Sequence, residues 1–390
     1  MVLCHVNFDL CFLCSLLFRN LGSSGSICGS QCFQSSLPAG IQIHVNPRHQ
    51  ILSGVLLSCL LAGAAFGAKI APQKYLLGKE HPGVWLPYKG SHPLDQVNPD
   101  ITRIFFSIHS SGYDALQYYG NAEAAIAKVP GGKKETLIVA PHFLDPQHIE
   151  GKIPDKMLHW KVRPYWGSSL GLVGSEGKAI RLSSFDVLDQ WIAQMADRKL
   201  YPNLKDVVIV GHSAGGQMVQ RYALVGKFQP PEGVKIRYVV CAPSSYAYPT
   251  AERWVPGTKY RFAVPSGNQL ESAPNYNNWG YGMKEPYTYF RGMDPKKVAQ
   301  EYAKRRVFYI CGEKDNDPNN RSLSKSNASM LQGKQRLERM TIFFQYLQHT
   351  YGPSITQTHA FAIAPRVGHS GKGNMTSSPG MRFLFAPLPE

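Results

Sequence analysis

The chain has 390 residues, enough for one large domain or two small ones, and 43% of them are hydrophobic. This content supplies a buried core and excludes a disordered protein. The formal net charge of +16 is spread along the chain without a basic helix or a zinc-finger spacing. The charge therefore argues against sequence-specific nucleic-acid binding and favours attraction to an anionic surface or wall polymer.

Residues 1–68 read as an N-terminal extension followed by a secretory signal. The apolar run Ile51–Phe66 follows a basic residue and ends in the small residues Ala65 and Gly67. This order of regions is typical of a signal that is removed. The run is short and contains glycine, which disfavours a membrane span. We therefore expect cleavage near Gly67, secretion, and a mature domain of residues 69–390 without a membrane span.

The cysteines do not predict a metal site. Cys11 and Cys14 have the spacing of a zinc-ligand pair, but they lie in an apolar run of the segment that we expect to be removed. The mature chain would keep only Cys241 and Cys311. Each ends a predicted strand, so both a disulfide and two buried thiols fit the sequence.

Strands and helices alternate along residues 100–390. The predicted strands are Arg103–Ile108, Thr136–Ala140, Val207–Val210, Ile236–Cys241, Val307–Cys311 and Phe361–Ala364, with a weaker one near 83–88. The helices are predicted over about 115–128, 183–195, 217–224 and 334–348. This alternation predicts an α/β fold with a mostly parallel central sheet and helices on both faces. The reactive groups should gather at the carboxyl ends of the strands.

One connection is too long for a plain loop. Residues 243–304 separate two predicted strands and are rich in Tyr, Trp, Asn, Gly and Pro. Connections longer than about 15 residues are uncommon in compact domains and usually have a function. We expect this segment to form a lid-like insertion that covers the site.

The segment Gly211-His212-Ser213-Ala214-Gly215 follows a run of β-branched residues and precedes a helical pattern. A G-x-S-x-G sequence between a strand and a helix holds a serine at the tip of a tight turn, with its hydroxyl exposed. Glycine is needed at both ends of the motif because a larger residue would close the turn against itself. Ser213 is therefore the candidate nucleophile.

Two later loops offer a base and an acid. Asp315 and Asp317 follow the strand that ends at Cys311, and His369 follows the strand that ends at Ala364. A serine hydroxyl needs a base to take its proton, and the imidazole needs a carboxylate to fix its tautomer. The chain order is thus serine, acid, histidine, with each residue just past a strand.

With these motifs the chain resembles the α/β-hydrolase superfamily, and within it the secreted serine esterases. The order of strands and helices resembles that of the family over roughly residues 100–390. The motifs that carry the resemblance are at 211–215, 312–315 and 368–369. It implies that Ser213 is the nucleophile and His369 the general base. It also favours Asp315 over Asp317 as the acid, because the family's acid usually stands three residues after a strand-ending glycine.

The resemblance further implies an oxyanion hole of two backbone N–H groups. One belongs to Ala214, and the other to the loop His109-Ser-Ser-Gly112, where the family commonly has His-Gly-x. We place the second donor at Ser111, with Ser110 as the alternative. Further predicted substrate contacts are Tyr113, Trp166 and His212.

The expected function is a secreted serine hydrolase that cleaves carboxylic esters through an acyl-enzyme, without a metal or cofactor. Its substrate would be a small-molecule or polymer ester. Two alternatives remain open at this point, because a fold does not decide a substrate. One is a peptidase or amidase on the same fold, and the other is a non-catalytic protein that binds a wall polymer or partner.

Overall fold

The computed structural model describes residues 69–161, 163–285 and 289–388. The expected signal sequence lies outside these described residues. The strands are β1 (Gln73–Leu76), β2 (Trp85–Gly90), β3 (Arg103–Ile108), β4 (Thr136–Pro141), β5 (Leu158–Trp160), β6 (Gly171–Val173), β7 (Lys178–Ile180), β8 (Asp206–His212), β9 (Lys235–Cys241), β10 (Arg253–Trp254), β11 (Phe262–Ala263), β12 (Arg306–Gly312) and β13 (His359–Ala364). The α-helices are α1 (Ala115–Ile126), α2 (Gly132–Glu135), α3 (Ser184–Met195), α4 (Ala214–Val225), α5 (Asn268–Ser272), α6 (Pro295–Lys304), α7 (Asn327–Met330), α8 (Arg336–Tyr351), α9 (Gly371–Thr376) and α10 (Ser378–Phe385).

A central eight-stranded sheet has the order β1-β2-β4-β3-β8-β9-β12-β13. All neighbours from β4 to β13 pair in parallel, whereas β1 and β2 form an antiparallel edge. The predicted mostly parallel α/β sheet is therefore confirmed. Parallel strands need crossover connections, and the helices provide these connections.

Helices cover both faces of the sheet. In β8 the side chains of Val208 and Val210 pack in one cluster with α1 and α10. Those of Val207 and Ile209 pack in the other cluster with α3, α4 and α8. Successive side chains of a strand point to opposite faces, so a strand buried on both sides is apolar throughout. This placement explains the continuous β-branched run before the glycine-serine motif.

Helix α3 begins where the sequence predicts it. The Ser183 side chain accepts the N–H of Asp186, and the Asp186 carboxylate accepts the N–H of Ser183, which completes a capping box. Trp191, on the buried face of this helix, stacks on Tyr75 with 4.1 Å between ring centroids. The helix thus anchors the antiparallel edge of the sheet.

The two described cysteines are free and buried. Cys241 pairs with Ile310 of the neighbouring strand, so Cys311 is one position further along. Alternate residues face opposite sides of a sheet, and the two thiols accordingly belong to different core clusters. A disulfide between them is excluded by this register, and the alternative of two buried thiols is what the structure has.

Three long connections lie beyond the carboxyl ends of the parallel strands. The first, 142–183, contains the small antiparallel sheet β5-β6-β7. The second, 242–305, contains the β10-β11 pair and α5 and ends in α6, which packs against α4. The third, 313–335, follows β12 and contains α7. None of the helices in the described ranges is long and apolar enough to cross a membrane.

Candidate active site

Ser213 lies on the turn between β8 and α4. Its φ of 56° and ψ of −117° lie in a region of backbone conformation that residues other than glycine rarely adopt. The turn is tight on both sides of the serine, because a Cβ atom on Gly211 would collide with the backbone of Gly215. A Cβ on Gly215 would likewise collide with the carbonyl oxygens of Ile108 and His109. The two glycines thus allow β3 and α4 to approach the turn.

His369 and Asp315 form a hydrogen-bonded pair. The imidazole Nδ1–H donates to Asp315 Oδ2 over 2.7 Å, and the aspartate is only 4% exposed. The other carboxylate oxygen of Asp315 accepts a hydrogen bond of 3.2 Å from the Arg336 guanidinium. Asp317, the second candidate, is exposed and accepts the backbone N–H of Asn319 over 2.8 Å. The geometry therefore brings Asp315, and not Asp317, to the histidine.

The loops that carry this pair are joined by backbone hydrogen bonds. The N–H of Lys314 donates to the carbonyl of Val367 over 2.8 Å, and the N–H of Glu313 donates to the carbonyl of Ala364 over 3.0 Å. Gly312 ends β12 directly beneath this contact. A Cβ atom at Gly312 would overlap the carbonyl oxygens of Val367 and Gly368. The absence of a side chain at Gly312 therefore lets the acid loop and the histidine loop meet.

Ser213 and His369 line the same cavity of about 300 Å³. Within the described ranges the Ser213 hydroxyl makes no hydrogen bond, and this includes none to His369. Hydrogen bonds between catalytic groups are often long in unliganded proteins and tighten when substrate binds. The structure thus brings the serine and the imidazole to one cavity without a direct hydrogen bond between them.

His212, a predicted substrate contact, is almost completely buried behind this pair. Its ring centroid lies 4.4 Å from that of His369, and its Nδ1 is hydrogen-bonded to the Tyr118 hydroxyl over 2.8 Å. Burial lowers the pKa of His212 well below its usual value, and its electrostatic interactions with His369 and Arg336 lower it further. A neutral imidazole therefore packs against the ring of His369.

Ala214 and Ser111, the predicted oxyanion donors, line a second cavity of about 190 Å³ that also contains Ser213. Neither backbone N–H has a hydrogen-bond acceptor in the part of the chain that the structure describes. Ser110 holds the loop, since its carbonyl accepts the N–H of Tyr113 over 3.1 Å and its hydroxyl accepts the N–H of Gly112. This arrangement leaves the N–H of Ser111 available to a ligand.

The two predicted aromatic contacts lie in different places. Trp166 lines the 190 Å³ cavity beside Ser213. Tyr113 lines a neighbouring cavity, where its hydroxyl donates to Asp145 over 2.7 Å and its ring stacks on His148. Tyr113 is only 4% exposed, so most of its surface packs in the core. Trp166 is thus the aromatic side chain nearer to the serine.

Two buried histidines support the loop that carries Ser111. His109 Nδ1 donates to the carbonyl of Ser110 over 2.8 Å, and its Nε2 accepts the N–H of Phe143 over 2.9 Å. Burial lowers the pKa of His109 to about 4 and that of His142 to about 3. Both are therefore neutral structural groups. Among the described residues, no three His, Cys, Asp or Glu side chains cluster as metal ligands would.

Residues near the serine that the sequence pattern did not predict come from the three long connections. Arg163 belongs to the first, Ser245 and Tyr281 to the second, and Arg321 to the third, and all four line the 190 Å³ cavity. Arg336, which contacts Asp315, starts α8. These residues lie in no motif, and only their positions in space relate them to Ser213.

No protein-family model matches the chain, and no curated protein sequence matches it. It is similar in structure to poly(aspartic acid) hydrolase-1 from Sphingomonas sp. KT-1, with a TM-score of 0.50 and 19% identity over 81% of this chain and 99% of that one. It is also similar to LpqC, a poly(3-hydroxybutyrate) depolymerase from Bordetella parapertussis, with a TM-score of 0.52 and 16% identity over 81% of this chain and 89% of that one. Sheet order and these two similarities together show that the chain has the α/β-hydrolase fold.

Proposed function

We propose that the chain is a serine hydrolase that cleaves carboxylic esters through an acyl-enzyme. The observation that carries the proposal is the pair of His369 and buried Asp315 beside the cavity that also contains Ser213. The unusual backbone of Ser213 adds support, because strained residues cluster at active sites. The names of the two similar structures, a hydrolase and a depolymerase, are consistent with hydrolysis.

In the proposed reaction the proton on Nδ1 of His369 stays there, hydrogen-bonded to the Asp315 carboxylate. Nε2 carries no proton and is free to accept one. Ser213 Oγ loses its proton to Nε2 and forms a bond to the carbonyl carbon of the ester. The imidazolium then returns the proton to the leaving oxygen as the bond between carbon and that oxygen breaks. A water molecule repeats the sequence on the acyl-serine and releases the acid.

The negative charge on the carbonyl oxygen is held by the N–H groups of Ala214 and Ser111 in this proposal. Donors of this kind lower the barrier because they are oriented before charge develops. Ala214 is the first residue of the twelve-residue helix α4, whose positive amino end adds to the stabilisation. Arg336 acts one step away from the reaction, by holding the carboxylate that orients His369.

The substrate is proposed to be a small-molecule ester or one unit of a polymer ester. The 190 Å³ cavity is smaller than the roughly 300–1,000 Å³ of typical ligand pockets, which favours a short acyl group. Hydrolysis of matched ester and amide substrates separates the esterase from the alternative amidase or peptidase. We also propose secretion, from the signal pattern at 51–67, and N-terminal sequencing of exported protein tests it.

The test of the mechanism is the variant Ser213→Ala. We expect hydrolysis of short-chain nitrophenyl esters to fall by at least about 1,000-fold, because the reaction loses its nucleophile. Covalent labelling by a fluorophosphonate should be lost as well. The control is Ser354→Ala, which changes an exposed serine outside the site and should leave both readouts unchanged. Continued labelling of Ser213→Ala would contradict the proposal.

A further inference from the structure

The cavity that contains Ser213, Ala214 and Ser111 carries positive charge. Arg163 and Arg321 are on its wall, and its described lining contains no aspartate or glutamate. Neither guanidinium forms a salt bridge with any residue that the structure describes. A guanidinium fits carboxylate and phosphate groups, so two arginines on the wall of a cavity beside a nucleophile point to an anionic ligand.

A third cation lies beneath the same cavity. Arg221 of α4 is fully buried, and its guanidinium donates to Ser245 over 3.1 Å, to Gln217 over 3.3 Å and to the carbonyl of Gly280. All three acceptors are neutral. Burial lowers the pKa of Arg221 to about 10, so it still carries its charge at neutral pH. Two of the acceptors, Ser245 and Gln217, line the cavity, and Arg221 therefore makes its floor positive.

Trp166 holds the arginine on the wall in place. The Arg163 guanidinium lies 4.8 Å from the centroid of the Trp166 ring, and the Arg221 guanidinium lies 5.3 Å from it. The backbone N–H of Trp166 also donates to the carbonyl of Arg163 over 3.0 Å. The cation–π contact with Trp166 reduces the freedom of the Arg163 side chain, so less conformational entropy is lost when it binds a ligand.

The two cavities beside Ser213 differ in a way that assigns the two parts of the ester. His369 lines the 300 Å³ cavity but not the 190 Å³ one. A general acid must reach the leaving oxygen, so the leaving group belongs on the His369 side. The cavity with the arginines then receives the acyl part.

We propose that Arg163 and Arg321 bind a carboxylate at the far end of the acyl part, so that the preferred substrates are half-esters of short dicarboxylic acids. This inference rests on the proposed function. A planar guanidinium binds a carboxylate through two parallel hydrogen bonds, and such charge-assisted bonds are stronger than neutral ones. A short spacer of methylene groups joins that carboxylate to the carbonyl carbon attacked by Ser213.

The experiment measures the release of ethanol from two esters. Monoethyl glutarate has a free carboxylate at the far end of its acyl part, and ethyl glutaramate has an uncharged amide of the same shape there. We expect the wild type to have a kcat/KM at least about tenfold higher for the half-ester, as a charge-assisted hydrogen bond implies. Arg163→Gln and Arg321→Gln should each lower this ratio, and the double variant should bring it near one. Arg261→Gln removes an exposed arginine outside the cavity and should keep the ratio of the wild type, which controls for net charge.

The outcomes separate the two proposals. Equal kcat/KM values for the two esters, with turnover that depends on Ser213, would overturn the carboxylate site and leave the hydrolase. If neither ester is hydrolysed, calorimetric titration with glutarate still tests the cavity, and its Kd should rise at least about tenfold in each arginine variant. Equal glutarate binding by wild type and variants would overturn the proposal. Equally tight, arginine-dependent binding of inorganic phosphate would indicate a general anion site and would also overturn it.

Discussion

Ser213 has to keep a side chain in a backbone conformation that suits glycine. With φ at 56° its Cβ atom meets the backbone, and strain of this kind costs about 1–3 kcal/mol. The turn persists because strand β8 and helix α4 are both buried and fix the two ends. The hydroxyl at the tip of the turn is therefore positioned at the expense of stability.

This strain predicts a stability difference between two variants that lack the Ser213 hydroxyl. Ser213→Gly should unfold with a free energy about 1 kcal/mol higher than Ser213→Ala, because glycine relieves the strain while alanine keeps it. Part of that gain is offset by the greater freedom of glycine in the unfolded chain. Urea unfolding of the two variants under identical conditions measures the difference. Equal stability, or a less stable glycine variant, would mean that the turn is not strained.

The sequence predicts those site residues that follow strands. Ser213, Asp315 and His369 each stand just past a buried strand, so the carboxyl ends of parallel strands bring their loops to one edge of the sheet. Arg336 stands 21 residues beyond the aspartate that it contacts, at the start of a helix. Nothing in its local pattern marks it, because the contact depends on how the third connection folds back.

At the scale of the elements, β12 and β13 matter most for the site. Each strand ends in a loop, and two backbone hydrogen bonds join the loops above Gly312. Any side chain at that position would enter the space of the carbonyl groups of Val367 and Gly368. The pairing of His369 with Asp315 therefore depends on a glycine that offers no reactive side chain of its own.

Gly312→Ala should separate the two loops. We expect the free energy of unfolding to fall by about 1–3 kcal/mol, the range for overpacking. We also expect the kcat for a short-chain ester to fall at least about tenfold, because small displacements of catalytic groups are costly. Gly78→Ala is the matched control, since a Cβ atom there meets nothing within 4 Å. A fully active Gly312→Ala variant would contradict the role given to this glycine.

The elements that the sequence did not predict are short or lie in loops. Strands β5, β6 and β7 have three residues each, in a stretch rich in glycine and aromatic residues. Such strands carry too few residues to show a period-2 alternation. The edge strand β1 has only four residues and lies among proline, glycine and lysine. The walls of the 190 Å³ cavity come from the three long connections, and the sequence therefore did not predict Arg163 or Arg321 as site residues.

For the whole molecule, buried histidines make the free energy of unfolding depend on pH in the acid range. Burial lowers the pKa of His109 and of His359 to about 4, and that of His142 to about 3. In the unfolded chain a histidine takes up its proton near pH 6.5. Between pH 6.5 and about 4 the unfolded state therefore holds more protons than the folded state. Stability is thus fully present above pH 6.5 and is lost as the pH falls through this window.

His359 allows a test of this linkage, because it lies on β13 away from the cavities. Each such histidine contributes up to about 1.4 kcal/mol per pH unit to the slope of unfolding free energy against pH. His359→Gln keeps a donor for the carbonyl of Tyr302 but cannot titrate. We expect the slope between pH 6.5 and 4.5 to decrease by about that amount, measured by urea unfolding at each pH. An unchanged slope would show that His359 binds its proton equally in both states.

The residues beside the cavity come from two kinds of segment, strand ends and long connections, and this difference affects how the protein can evolve. The positions of Ser213, Asp315 and His369 are set by strand ends. Arg163, Tyr281 and Arg321 each lie on a different one of the three long connections. Exchange of one connection would alter the lining of this cavity while Ser213, Asp315 and His369 keep their spacing. The lining of the cavity can thus change in evolution one segment at a time, and grafting one connection at a time offers an engineer the same route.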